Sequence, residues 1–256
     1  MSNKRTEIVI PKEILSYAPP PPFTFPLAKY YVTSFKTDLD ALKGMLPDHV
    51  KPMPDAEDNV LLQVNNFATY WEAVLSLPAV FTNNGEETSG IYLSQLYLGS
   101  IVPEGSALPM MLGQVGAGYP KRDAMFTIND FGGKNAEVKF ERWGTTIADM
   151  KHEMGKKVTT LSNLPFGTDL SNLTAFLLKA IPTCDGRGWD ALQLTTPKGP
   201  CGEVVRVNKV ETTINGDVVL DSGRVLPVKE IQYSLYYEIK DTGLTHAEIL
   251  IDYLAK

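Results

Sequence analysis

One segment of this chain carries residues with the types and spacing for carbonyl chemistry. Apolar Met110, Met111 and Leu112 lead into Gly113-Gln114-Val115-Gly116-Ala117-Gly118, which ends in Tyr119-Pro120-Lys121-Arg122. The small residues allow a close approach to Lys121, and that amine has two readings. On a solvated turn it is only a surface charge. In an apolar pocket it becomes a nucleophile, because desolvation or a neighbouring cation favours the neutral form that attacks carbonyls. Free lysine offers that form in only about one molecule in 2,500 at pH 7, so only a well-built core sustains such a site. Glu72 is the second candidate. It lies between Tyr70-Trp71 and Ala73-Val74-Leu75, a carboxylate in apolar company that suits proton transfer; its plain alternative is an exposed strand residue.

Other chemistries find no foothold in the sequence. There is no Walker loop, no HExxH, no CxxC and no GxSxG. The glycine spacing is wrong for dinucleotide binding, and Tyr119-Pro120 stands where a phosphate-binding helix would begin. His49, His152 and His246 are isolated, so no metal site is expected.

The elements that must position Lys121 are mainly strands. Residues 30–35, 60–67, 91–98, 124–128, 136–143, 203–214, 217–220 and 228–239 are extended segments, several rich in Val, Ile, Tyr and Phe and bounded by Gly, Asn or Pro. Asn215-Gly216 predicts a hairpin between two of them. Thr37-Asp38 predicts the cap of a short helix with Leu39, Leu42 and Leu46 on one face, stopped by Pro47. A second helix is predicted over 169–179, ended before Pro182. Residues 1–22 form an arm whose Pro19 to Pro22 run must be extended, and residues 23–256 form one domain. So many strands predict a β-rich α+β domain on a closed or nearly closed antiparallel barrel, which removes exposed edges.

At 256 residues and 43% hydrophobic, the chain can bury a large core without metal or disulfide support. A net charge of −6 argues against nucleic-acid binding. Cys184 and Cys201 make no disulfide framework, which with the lack of an apolar leader or spanning stretch predicts a soluble, cytoplasmic protein away from membranes.

Several short segments follow one another in a set order: Thr37-Asp38-Leu39-Asp40-Ala41-Leu42, Tyr92-Leu93 with Tyr97-Leu98, Gly113, and Tyr119-Pro120-Lys121. Leu226-Pro227-Val228-Lys229-Glu230-Ile231 and the Asp252-Tyr253-Leu254 ending complete the series. In order and spacing they resemble the acetoacetate decarboxylase superfamily over residues 23–256. The resemblance implies a homo-oligomer in which Lys121 forms a Schiff base with a small keto acid and needs no cofactor, since the imine is the electron sink. It puts Arg122 in place of a second lysine, and Glu72, followed by Pro78, at one of two active-site glutamates.

Two positions depart from that pattern. The second glutamate falls at Gln63, which bonds but carries no proton. The family's arginine falls at Ala28, with Lys29 beside it, and a lysine lacks the planar bidentate donor. Gln114 and Tyr253 complete the candidate set, the first as a neutral donor and the second as a phenol. The implied activity is decarboxylation of an acetoacetate-like β-keto acid. Its rivals are aldol condensation and dehydration on a 2-oxo acid such as pyruvate, or carbonyl-ligand binding without turnover.

Overall fold

In a computed structural model of the protein, residues 22–158 and 174–255 are described. Residues 1–21 of the 1–22 arm, the segment 159–173 and Lys256 lie outside them. The first half runs β1 (Phe23–Lys36), α1 (Leu39–Leu42), β2 (Val50–Pro52), β3 (Asn59–Asn66), β4 (Tyr70–Asn83) and β5 (Glu86–Ser100). A short helix α2 (Ala107–Leu112) and a wide π-type turn (Gly113–Ala117) then lead to β6 (Lys121–Asp123). Next come β7 (Met125–Asn129), β8 (Asn135–Arg142), β9 (Thr145–Lys157), β10 (Ala175–Pro182) and β11 (Trp189–Lys198). The chain closes with β12 (Glu203–Ile214), β13 (Val218–Val219), β14 (Val225–Leu226), β15 (Glu230–Leu244) and β16 (His246–Asp252).

The β-rich domain with few short helices is as expected, but the barrel is not. Twelve strands of a 14-stranded sheet run in the order β16-β11-β10-β5-β4-β3-β1-β15-β12-β9-β8-β7, with β2 on β4 and β6 on β5. Its ends, β16 and β7, do not pair, so the sheet is open. It is also not wholly antiparallel, since β10 and β6 both run parallel to β5. The edges are blunted in other ways. β7 is only 5 residues long, and β16 carries His246 and Glu248, the latter paired with Lys198 on β11 at 3.4 Å. Charge and shortness discourage edge pairing as closure would.

Local signals were overridden in three places. Asn215-Gly216 does turn, with Gly216 at φ +80°, but β13 pairs with β14 rather than folding back on β12. The first helix is a single turn because Gly44, at φ +72°, ends it before Leu46. Asp38 stands at its N-cap without a side-chain capping bond and pairs instead with Lys229. The described part of the second predicted helix is strand: β10 joins β5 and β11, where tertiary pairing outweighs a weak helical pattern.

β4 is the sheet's most enclosed strand and had no sequence signal of its own. Residues 72–81 are buried on both faces, so the run lacks the period of two. Pro78, normally excluded from central strands, sits where β4 changes partner from β3, last paired at Ser76, to β2, first paired at Ala79. One face carries a core around Phe35, Leu75, Tyr97 and Phe140. A second core, around Val32, Tyr70, Val74, Leu96 and Leu177, lies under the candidate site.

His152 lies in a third cluster, away from that site. Its ring is 2% exposed, stacks on Tyr31 at 4.2 Å and shares a hydrogen bond of 2.8 Å with Thr212 Oγ1. Burial holds its pKa down to about 4. The unfolded chain therefore binds the extra proton between about pH 6.5 and 4, so this residue's contribution is complete above 6.5 and lost as pH falls through that window. The loss amounts to about 3 kcal/mol. His152→Gln should flatten the decline in urea midpoint between pH 7 and 4.5; an unchanged decline would disprove this account.

Candidate active site

Cross-strand partners share a face, so register decides which side chains meet. One row runs from Tyr30 on β1 through Asn65 on β3 and Glu72 on β4 to Leu98 on β5. The neighbouring row runs Val32, Gln63, Val74 and Leu96 and ends at Lys121 on β6. Strand pairing thus carries Lys121 diagonally to Glu72 across a gap of 49 positions in sequence, the difference between 121 and 72.

The two side chains form an ion pair, Lys121 Nζ to Glu72 Oε2 at 3.2 Å, with side-chain exposures of only 8% and 9%. Asn65 Nδ2 donates to the other carboxylate oxygen at 3.2 Å. The lysine Nζ also faces the rings of Tyr119 at 5.1 Å and Tyr70 at 5.7 Å, within cation–π range. Pairing and hydrogen bonding are what make two buried charges tolerable.

The glycine-bearing turn shapes the other side. A Cβ on Gly113 would lie 2.6 Å from Lys121 Cε and 3.0 Å from its Nζ, so only glycine leaves room for the amine. The turn is pinned by Thr195 Oγ1, which donates to Ala117 O at 2.7 Å. Gln114 is exposed and points away from the pocket, donating from Nε2 to the backbone carbonyl of Lys121 at 2.5 Å. It anchors the lysine's main chain.

The pair opens on a cavity of about 530 Å³. Among its described lining residues, Lys121 and Glu72 are the only charged ones, and most of the remaining wall is Phe, Leu, Pro and Tyr. The phenols of Tyr70 and Tyr119 are pushed well above their ordinary pKa by burial, with the Glu72 charge adding to it. Tyr30 is raised by burial, then by Tyr237 and Glu72. All three stay protonated at neutral pH, so those at the site are neutral hydrogen-bond donors. Among the described residues, no three His, Cys, Asp or Glu side chains gather where they could hold a metal ion.

The other sequence candidates are dispersed. Gln63 shares the lysine's row and face but does not line the cavity. Ala28 is fully buried opposite Ile239, and half-buried Lys29 lies between Asn66 and Glu238. Neither lines the cavity. Tyr253 is near β2, donating to Asp48 O at 2.7 Å. Tyr70, Tyr119 and Asn65 were missed as site residues; only strand register reveals them, although Tyr119 stands beside Pro120-Lys121.

Arg122 turns to the opposite face of β6, as alternation requires. Its Nη1 meets Asp221 Oδ1 at 2.5 Å, while Arg142 Nη1 meets Oδ2 at 2.5 Å. Arg142 Nε also donates to Asp123 O at 3.0 Å. This cluster clamps β6 from behind. With Asp221 only 6% exposed and Arg122 partly solvated, Asp221→Ala should destabilise by about 2 to 3 kcal/mol. Urea unfolding measures it, and a change below about 0.5 kcal/mol would contradict the clamp.

An open β-rich sheet bearing a buried lysine–carboxylate pair at an apolar cavity defines the class. The chain belongs to the family described as acetoacetate decarboxylase (ADC), whose model matches residues 9–254. No curated protein matches in sequence. A solved acetoacetate decarboxylase superposes with a TM-score of 0.75 at 22% identity, over 93% of this chain and 92% of that one. One from Legionella pneumophila gives 0.73 at 20% identity, over 93% and 90%. The enduracididine biosynthesis enzyme MppR, solved with the condensation product of pyruvate and imidazole 4-carboxaldehyde, gives 0.67 at 16% identity, over 91% of each. At these identities the structures establish the shared fold. No helix among the described residues is long and apolar enough to cross a membrane.

Proposed function

We propose that the protein is a lyase that decarboxylates a β-keto acid through an imine on Lys121. The observation that carries this reading is the buried Lys121–Glu72 pair at 3.2 Å in a cavity without other described charges. Glu72 takes a proton from the ammonium, and the free amine adds to the keto carbon. Glu72 gives that proton to the departing hydroxyl of the adduct, and loss of water leaves the protonated imine. The bond to the carboxylate then breaks, CO2 leaves, and its electron pair moves through the new C=C bond onto the imine nitrogen. A proton drawn from solvent through Glu72 goes to the enamine carbon, and water hydrolyses the resulting protonated imine to the ketone and the Lys121 ammonium.

The apolar wall favours this outcome. A carboxylate placed there without a cation of its own is poorly solvated, and its charge disperses as CO2 forms. The rival, condensation of a 2-oxo acid with an aldehyde, rests on Gln63 and Ala28 at the two altered positions, neither of which lines the described cavity. It must retain the substrate carboxylate, however, and no second cation lines the described cavity. The exposed, unpaired thiols of Cys184 and Cys201 suit a reducing, cytoplasmic setting, and the family likeness suits a homo-oligomer, which light scattering measures.

Borohydride trapping with peptide mass spectrometry tests the chemistry. Acetoacetate should leave a carboxylate-free adduct on Lys121. A carboxylate-bearing adduct from pyruvate would favour condensation, and an adduct without any product would favour a binding protein. Absence of an adduct on Lys121 with either compound would overturn the imine.

A further inference from the structure

The cavity extends well beyond the reacting pair. The carbonyl carbon must sit against Lys121 Nζ, in the space left by Gly113 between Tyr70 and Tyr119. Beyond those groups the lining is mainly Phe25, Phe67, Leu108, Pro109, Leu112 and Leu244. The Phe25 and Phe67 rings are 4.5 Å apart and Phe67 continues onto Tyr70 at 5.0 Å, so a run of rings leads from Phe25 to the tyrosine that faces the lysine. The two threonines of the lining, Thr24 and Thr69, are exposed. At about 530 Å³ the volume lies in the range of about 300–1,000 Å³ that encloses drug-sized ligands. Acetoacetate offers a methyl group as its only tail and fills only a small part of that volume while its carbonyl is at Lys121.

The geometry points to a 3-oxo acid with an extended alkyl tail as the substrate class, with the tail lying along Phe25, Phe67, Leu108 and Leu244. This rests on the decarboxylase reading above and adds to it the acyl side of the substrate. No charged or buried polar group faces the tail from the described wall, so a tail bearing a carboxylate, phosphate or ammonium is disfavoured by desolvation. Each methylene withdrawn from water contributes about fourfold in kcat/KM.

The test compares acetoacetate with 3-oxooctanoate, following CO2 release above the uncatalysed rate and 2-heptanone formation from the longer acid. The expected kcat/KM for 3-oxooctanoate exceeds that for acetoacetate by at least about tenfold. Leu108→Glu puts a charge on the tail wall at a residue already 42% exposed, so the fold tolerates it, and the preference should drop at least tenfold. Turnover of both acids with no preference for the longer one overturns the tail site and leaves the decarboxylase reading standing. Turnover of neither acid overturns both. The wild-type ratio decides the matter even if the variant fails to fold.

Discussion

Lys121→Met should abolish turnover while lowering stability by about 3 to 5 kcal/mol, and Glu72→Gln added to it should restore much of that stability without restoring activity. The first effect follows from chemistry, since a thioether forms no imine. The second follows from burial. With Lys121 gone, the Glu72 carboxylate keeps only the Asn65 amide as a described side-chain partner in a site 9% exposed, and a buried charge stripped of its partner costs about 3 to 5 kcal/mol. Replacing both members of such a pair with neutral groups of similar volume is often neutral or stabilising. Glu72→Gln alone leaves the ammonium against two aromatic rings and destabilises by a similar amount. Its turnover should fall by about 10²- to 10⁴-fold, the usual contribution of a positioned acid–base group. Urea unfolding of the four proteins gives the coupling directly. If the double variant loses the sum of the two single losses, the residues are not energetically paired. If Lys121→Met still releases CO2 above background, the imine mechanism is wrong.

Lys121 and Glu72, which the structure brings together, were singled out chiefly by the family resemblance of Tyr119-Pro120-Lys121 and of Glu72 with Pro78. Small residues before an amine and a carboxylate in an apolar run left each with a plain alternative. The cavity was not legible. Tyr70, Tyr119, Phe25 and Phe67 converge only through the registry of β1, β3, β4, β5 and β6, and strand pairing over such separations has no local pattern. The same reason hid β4 itself. Strands that are half-exposed alternate, and the 203–214 segment coincides with β12 (Glu203–Ile214). A strand buried on both faces reads only as an apolar run, and Pro78 argues against it further. The barrel expectation failed because the strand pattern counts strands without saying how the last one is protected. Here β16 and β7 stay unpaired with each other. The opposite facing of Lys121 and Arg122, by contrast, followed from alternation alone once both lay on an extended segment.

Gly113→Ala should separate catalysis from stability in the opposite sense to Lys121→Met. Gly113 has φ −64° and ψ −47°, ordinary helical geometry in which alanine is at least as comfortable as glycine. On backbone grounds alone the change would stabilise by about 0.4 to 1 kcal/mol through the unfolded chain. The atoms nearest the new methyl all belong to the far end of the Lys121 side chain, Cε at 2.6 Å and Cδ at 2.7 Å. A flexible side chain can move aside at little cost in folding energy, but the amine then leaves its place beside Glu72. Displacements of about 1 Å at a reacting centre cost on the order of 10²-fold in rate. We therefore expect kcat to fall by about that factor with the melting temperature unchanged or raised, and borohydride trapping at Lys121 to slow in parallel. Gly118→Ala is the contrast. Its φ of +87° disfavours any side chain, and its methyl would meet the backbone of Lys179 at 2.7 Å, so stability should fall along with activity. Should Gly113→Ala turn over at the wild-type rate, the space beside Lys121 is not what positions the amine. If it instead unfolds like Gly118→Ala, the glycine serves the turn rather than the lysine.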